Sequence, residues 1–419
     1  MPTTHIDDLA AFVTASPSSY HAAEEVARRL VDRGFRRQLE TDAWDSTPGG
    51  HVLVREGAVV AWRIPETLSE NPRFAIVGAH TDSPSLKLKP QPTASNVGYA
   101  QAAMELYGGL LLNSWLDREF GLAGRLTLRD GTTTLVRTPG WLRIPQLAPH
   151  MDRSVNESLH LDRQHHMKPL LGLTGGRDLM TAIADVAGVH PDDILGHDLF
   201  AYVTEPPAVI GIDADLFASS RMDNLSSVHA GLTALLAAGE GPDVAVLACF
   251  DHEEIGSSST TGACGPLLEA VLGRIAEGLS IHGDHYDRML ARSVQVSADA
   301  GNAIHPNYAH LHDPEHQPTL NKGPLLKMSA TQRYTTDGFG VALWRRLAER
   351  VDIPVQFFVS NNAVPSGSTI GPLSATRLGI KTLDVGIPLL SMHSTRELAG
   401  TKDLPWLADV LAEFYRGQW

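Results

Sequence analysis

Two runs, FAIVGA at 74–79 and VAVLACF at 244–250, are apolar at every position rather than at every second one. A strand with one face in water alternates polar and apolar residues. A run that is apolar throughout must be covered on both faces, as in a parallel sheet flanked by helices. These runs therefore push the chain toward an α/β layer architecture. Each is followed at once by residues that can carry charge: His80 and Asp82 after the first, Asp251 to Glu254 after the second. Such sheets bind ligands at the carboxyl ends of their strands, so these are the first places to look for chemistry.

Other segments fit the same architecture. SSYHAAEEVARRLVDRGF has Ser18 or Ser19 as N-cap, Ala23, Val26, Leu30 and Val31 at helical spacing, and a stop at Gly34. HVLVREGAVVAWRIP reads as a hairpin turning at Glu56-Gly57, LSSVHAGLTALLAAG as a helix, and SVQVSAD, VQFFVS and TLDVGI as strands. Strands alternating with helices imply a largely parallel sheet. From about Pro90 to Asp213 the texture changes to short β-like runs, AGRLTLRDG, TTTLVRT and HDLFAYV, with an aperiodic stretch HMDRSVNESLHLDRQHHMKPLLG. The expected organisation is an α/β domain of residues 1–89 and 214–419, interrupted by a smaller β-rich domain of residues 90–213.

Composition narrows the function. With 419 residues, 43% hydrophobic and 20% charged, the chain has room for more than one domain. A formal charge of -14 and the lack of a Lys/Arg-rich run disfavour a nucleic-acid partner. Asp7 and Asp8 stand where a secretory signal would carry positive charge, and no run of about 18 apolar residues could span a bilayer, so a cytoplasmic protein without a membrane partner is expected. Cys249 and Cys264 are the only cysteines and form no C-x-x-C pair. That leaves neither a disulfide framework nor a thiolate zinc knuckle. Any metal would be held by imidazole and carboxylate.

Each candidate residue has a plainer reading beside the functional one. His80 and Asp82 make either a solvated hydrogen-bonded pair or a metal ligand with its orienting carboxylate, which would fix the ring tautomer. Asp223 in RMDNL is either an N-cap or a ligand. Glu253 and Glu254, directly after a buried run, need a positive partner or must take up protons. One of them could bind a divalent ion while its neighbour takes a proton from an attacking water. A helix-borne H-E-x-x-H starting at His252 is excluded, since its second histidine position is Gly256. Asp299 after SVQVSA is a turn-forming residue or a ligand; His305 lies in NAIHPNY, and His393 closes LDVGIPLLSMHS. Nitrogen and oxygen ligands without sulfur suit zinc, with manganese or cobalt as substitutes. The expectation is a two-metal hydrolase site. A serine hydrolase is disfavoured, because GSSST at Gly256 and GSTIG at Gly367 both fail the G-x-S-x-G spacing.

In chain order, AHTDSPSLKLKP, YGGLLLNSWLDREFGLAGR, RMDNL, DHEEIGSSSTTGA, SADAGNAIHPNY, NKGPLLKMSATQRY, PSGSTIGP and SMHSTREL resemble the M18 family of metallo-aminopeptidases, the aspartyl aminopeptidase and aminopeptidase I group. The resemblance implies an α/β domain of the zinc-exopeptidase type with a mixed, largely parallel sheet and a co-catalytic zinc pair. It also implies an inserted β-rich dimerisation domain and assembly of dimers into a dodecamer. Peptides would be the substrates, with acidic N-terminal residues removed. Matched position by position, Asp223 would bridge both ions, His80 and Asp299 would hold one, and Glu254 and His393 the other. Glu253 would be the general base and Asp82 the orienter of His80. Lys327, Tyr334 and His150 match the family's substrate-binding residues. His150 lies in the inserted domain and would have to reach a neighbouring subunit's site. Lys327 could pair with an acidic substrate side chain, its plainer reading being a solvent-facing lysine. One position departs: Asn302 stands where aspartyl aminopeptidase-like members have histidine in D-x-x-H-A-x-H-P-N. Asparagine can hydrogen-bond but cannot become cationic. Leu-type specificity therefore stands as an alternative; a non-catalytic shell-forming scaffold is a separate one, opposed by the retention of Glu253 and the five ligand candidates.

Overall fold

The two apolar runs are strands, Phe74–His80 and Val244–Phe250, lying side by side and parallel with Phe74 opposite Val244 and His80 opposite Phe250. The structure, a computed structural model, describes residues 4–239 and 241–419. Val294–Ala298 and Lys381–Gly386 continue the parallel block beyond Phe74–His80. Antiparallel strands flank it: Ala58–Ile64 beside Val244–Phe250, and Leu325–Met328 beside Lys381–Gly386. Gly49–Arg55 pairs with Ala58–Ile64 as the hairpin expected at Glu56-Gly57. Among the described residues this sheet has nine strands. It is mixed: Gly49–Arg55 and Ala58–Ile64 form a short hairpin, while the other antiparallel pairs join strands distant in the chain.

Burial on both faces explains the sequence of the central strands. In Phe74–His80, Ala75, Val77 and Ala79 join one apolar cluster while Phe74 and Ile76 join another. Neither face could tolerate the polar half of an alternating strand. On the first face lies the helix Ser19–Val31, which Ser18 caps by accepting a hydrogen bond from the His21 N–H. It buries Ala22, Ala23, Val26, Ala27 and Leu30. The helix ends at Val31, and Gly34, at φ +87°, completes the reversal that the sequence marked there.

The chain divides into two compact units: residues 1–82, 207–392 and 397–419 in the first, and 83–206 with 393–396 in the second. These boundaries precede the expected ones because Ser85–Asn96, whose SLKLKP start lacks a strand-like apolar run, is already a strand of the second unit's sheet. Among the described residues, that sheet has seven strands. Ile194–Val203 pairs with Ser85–Asn96 on one side and with Glu119–Leu128 on the other, which closes the sheet into a ring of pairings. Leu86, Phe120, Leu122, Leu126 and Leu199 are part of its separate core. The fold is thus mixed α/β with a large mixed sheet and a β-rich subdomain. Among the described residues no helix is long and apolar enough to cross a membrane.

Candidate metal centre

Parallel neighbours deliver the first candidate site residues to one edge of the large sheet. His80 is the last residue of its strand, Asp299 directly follows Val294–Ala298, and Glu253 and Glu254 open a single 3-10 turn, Glu253–Ile255, just past Phe250. His252 at φ +66° redirects the chain into that turn. Asp223 arrives from a different element. It lies at the start of the helix Met222–Ala237, but it and Asn224 depart from helical geometry, and the N-cap is Arg221. The capping reading of Asp223 therefore fails. Its backbone N–H donates instead to the buried Glu397 carboxylate at 3.0 Å, and the Asn224 side-chain amide donates to the Ala298 carbonyl at 2.9 Å.

The side chains converge on the His80 ring. Its Nε2 lies 3.3 Å from Asp223 Oδ1, 3.7 Å from Asp299 Oδ1 and 3.9 Å from Glu253 Oε2. One ligand atom each from His80, Asp223 and Glu254 lie within 4.8 Å of one another. On the far side of the ring, Nδ1 is 3.1 Å from the Asp82 carbonyl and 3.4 Å from its carboxylate. The Asp82 carboxylate has a second task that its sequence position does not reveal. Its two oxygens accept the backbone N–H groups of Glu253 and Glu254, each at 3.1 Å. Asp82 thus faces the imidazole, mainly through its carbonyl, while its carboxylate holds the turn bearing both glutamates.

This concentration of acid shifts the titrating groups. Burial alone would lower the His80 pKa, but Asp223, Asp299, Asp82 and Glu253 outweigh it and hold the ring well above its ordinary value. Glu253 is pushed up to about 7, chiefly by burial, with Asp299, Asp223 and Asp82 adding to the effect and His80 opposing it. Behind the turn, burial and then the charge of Asp82 push Asp251 up to about 7; it accepts from Ser19 Oγ and from the His252 N–H. Carboxylates gathered out of water either bind protons or need a cation, and a buried set of one imidazole and several carboxylates suits zinc. The residues fit such an ion.

Other expected site residues have distinct surroundings. Lys327 is wholly buried, so its solvent-facing reading fails; its Nζ donates to the Ala300 carbonyl at 2.9 Å and lies 4.0 Å from Asp299 Oδ2. The same ammonium sits 5.2 Å from the centre of the nearly buried Tyr334 ring. His393 groups with the second unit, where its Nδ1 is 2.9 Å from the Gly109 carbonyl. His150 is exposed in that unit, in a segment without helix or strand, and Asn302 is exposed in the first unit. Sequence reasoning missed Asp384 and Glu397, both buried acids. A signal for the first was present: an aspartate interrupts the apolar strand TLDVGI.

The model of the family described as aminopeptidase I zinc metalloprotease (M18) matches residues 12–415. A probable M18 family aminopeptidase 2 of Streptomyces coelicolor is 51% identical over 98% of this chain and 97% of the relative. A cryo-EM structure of the Ape4 and Nbr1 complex contains a chain that matches with a TM-score of 0.95 at 35% identity, over 99% of this chain and 85% of that one. The S. cerevisiae mApe1 dodecamer matches with a TM-score of 0.87 at 26% identity, over 98% of this chain and 96% of that one. With its buried imidazole and carboxylates suited to zinc and a family match across nearly its whole length, this chain belongs to the M18 zinc metallo-aminopeptidases, hydrolases of peptide bonds.

Proposed function

We propose that this enzyme removes acidic N-terminal residues, Asp and Glu, from peptides, using two zinc ions per subunit and Glu253 as general base. The carrying observation is the convergence of Asp223, Asp299 and Glu253 on the buried His80 ring. In this reading Asp223 would be shared by the ions, His80 and Asp299 would hold one, and Glu254 and His393 would hold the other. The role of His393 rests on the sequence pattern SMHS and on its Nδ1 facing Gly109, which favours the tautomer with its Nε2 lone pair available for ligation. Bound zinc supplies Lewis acidity, which makes water nucleophilic near neutral pH and polarises the scissile carbonyl.

The remaining work falls to side chains. Glu253 accepts the proton of the attacking water and delivers it to the departing amine nitrogen. Asp82 keeps Glu253 aimed, because it holds that residue's own N–H. Lys327 brings positive charge beside Tyr334 and 4.0 Å from Asp299 Oδ2, which supports selection of an acidic first residue. Asn302 supports the opposing reading, Leu-type specificity, since it removes a group that could have become cationic. By analogy with the dodecameric relative, we propose that the chain forms a homo-oligomer built from dimers through its β-rich unit, with His150 reaching a neighbour's site. Chromogenic amides of Asp, Glu, Leu and Lys, assayed on a preparation of known metal content, test the specificity. Turnover should be fastest with Asp or Glu, and a clear preference for Leu would overturn the role given to Lys327.

A further inference from the structure

Asp384 lies in the middle of the buried strand Lys381–Gly386, fully inaccessible to solvent, and the scheme above gives it no task. Three donors converge on its carboxylate. The Thr335 N–H and hydroxyl reach Oδ2 at 2.6 and 2.7 Å, and the Thr369 hydroxyl reaches Oδ1 at 2.6 Å. They come from two irregular segments, 329–337 and 360–369, which the sheet does not otherwise hold by strand pairing. Thr335 is the immediate neighbour of Tyr334. Thr369 caps the helix Ile370–Leu378, accepting the Gly371 N–H while it donates to Asp384.

Two further features are built around the same carboxylate. A Cβ at Gly371 would lie 2.3 Å from Asp384 Oδ1 and 2.8 Å from Oδ2, so the start of that helix can approach only because the residue is glycine. Asp384 also stands directly opposite Lys327 in the antiparallel pair, which places both side chains on one face of the sheet. A carboxylate that needed only to be satisfied could take its donors from one loop. This one ties together two loops and the strand beneath the Lys327–Tyr334 pair.

We infer that Asp384 is a positioning residue for substrate recognition: by clamping the loops at Thr335 and Thr369 it fixes where Tyr334 and Lys327 meet the first residue of the peptide. The inference rests on the proposed reading of Lys327 and Tyr334 as substrate residues. It predicts that loosening the clamp weakens substrate binding while leaving the metal and the base in place.

The test compares Asp384→Asn, Thr335→Val, Thr335→Ser, Lys327→Met and Tyr334→Phe, with KM, kcat, zinc content and thermal midpoint measured for each. Thr335→Val keeps the backbone bond and removes only the hydroxyl. It should raise KM for the best aminoacyl amide about tenfold, with kcat within about twofold and zinc unchanged, the expected scale for losing a hydrogen bond to a charged group. Thr335→Ser should restore the wild-type KM, and Asp384→Asn should exceed the valine variant. If Asp384→Asn fails to fold, the valine and serine pair at 335 decides. Should Lys327→Met and Tyr334→Phe raise KM while Thr335→Val lowers only the thermal midpoint, the positioning role is wrong although the substrate reading survives. Should neither Lys327→Met nor Tyr334→Phe move KM, the substrate reading fails and the inference falls with it.

Discussion

Asp384 and the acids around His80 are buried in the same unit, yet they meet the cost of burial in different ways. Asp384 receives three protein donors, while the Lys327 ammonium lies 4.0 Å from Asp299 Oδ2 in the other group. Around His80, one imidazole faces Asp82, Asp223, Asp299 and Glu253, and Glu253 is pushed up to about 7, chiefly by burial and further by the neighbouring acids. A buried carboxylate costs several kcal/mol unless donors or positive charge meet it, and several acids gathered around one imidazole mark a place where a bound cation would add that charge. The contrast sets a carboxylate met by protein donors beside a candidate ion site. A third cluster is of the matched kind: Asp8 accepts from Arg29 at 3.0 Å and from His229 Nε2 at 2.8 Å.

The contrast breaks first if the acid-rich cluster does not need a cation. Stripping metal with a chelator should abolish peptidase activity, and zinc should restore it. His80→Ala should remain inactive after zinc is returned, checked by turnover with the metal content of the same sample. A smaller effect is expected at Asp82, which acts through its neighbours. Asp82→Asn leaves one oxygen to serve two peptide N–H groups and should cost about 10- to 100-fold in zinc affinity or activity, measured by competition with a chromogenic chelator.

The smallest effect belongs to the matched cluster on the helix His5–Ala15. Burial, then the charge of His229, pushes the His5 pKa down to about 3, and burial lowers that of His229. In the unfolded chain both rings titrate near about 6.5. As pH falls below that value, the unfolded chain gains protons that the native rings refuse. Their stabilising contribution is therefore whole above about 6.5 and is lost progressively toward about 3. Asp8, drawn down to about 2 chiefly by its hydrogen bond to His229, adds a loss that begins near its unfolded value of about 3.9. Amide exchange in residues 5–15 should speed up as pH drops from 7 to 5, and His5→Leu should flatten that dependence.

Much of this was legible in the chain because double-sided burial leaves an unbroken apolar run, and the residue that ends such a run stands at a sheet edge. His80, Glu253, Glu254 and Asp299 were found in that way. Asp223 could be read equally well as a cap, and only the non-helical geometry at the start of its helix separates the two. The second unit begins earlier than expected because SLKLKP places lysines within a strand. Asp384 was hidden for a different reason: its partners lie 15 and 49 residues away, and an isolated acid in an apolar run does not say whether loops or an ion will meet it. The double use of Asp82 depends on backbone N–H groups, which every residue has and no side-chain pattern betrays.

The central claim, that Glu253 is a base beside ions it does not hold, is tested most directly by Glu253→Gln with zinc content and turnover measured on one preparation. Zinc should stay at the wild-type level while kcat falls by about 10²- to 10⁴-fold, the range for removing a general base. Retention of wild-type turnover, or loss of zinc in step with activity, would contradict it.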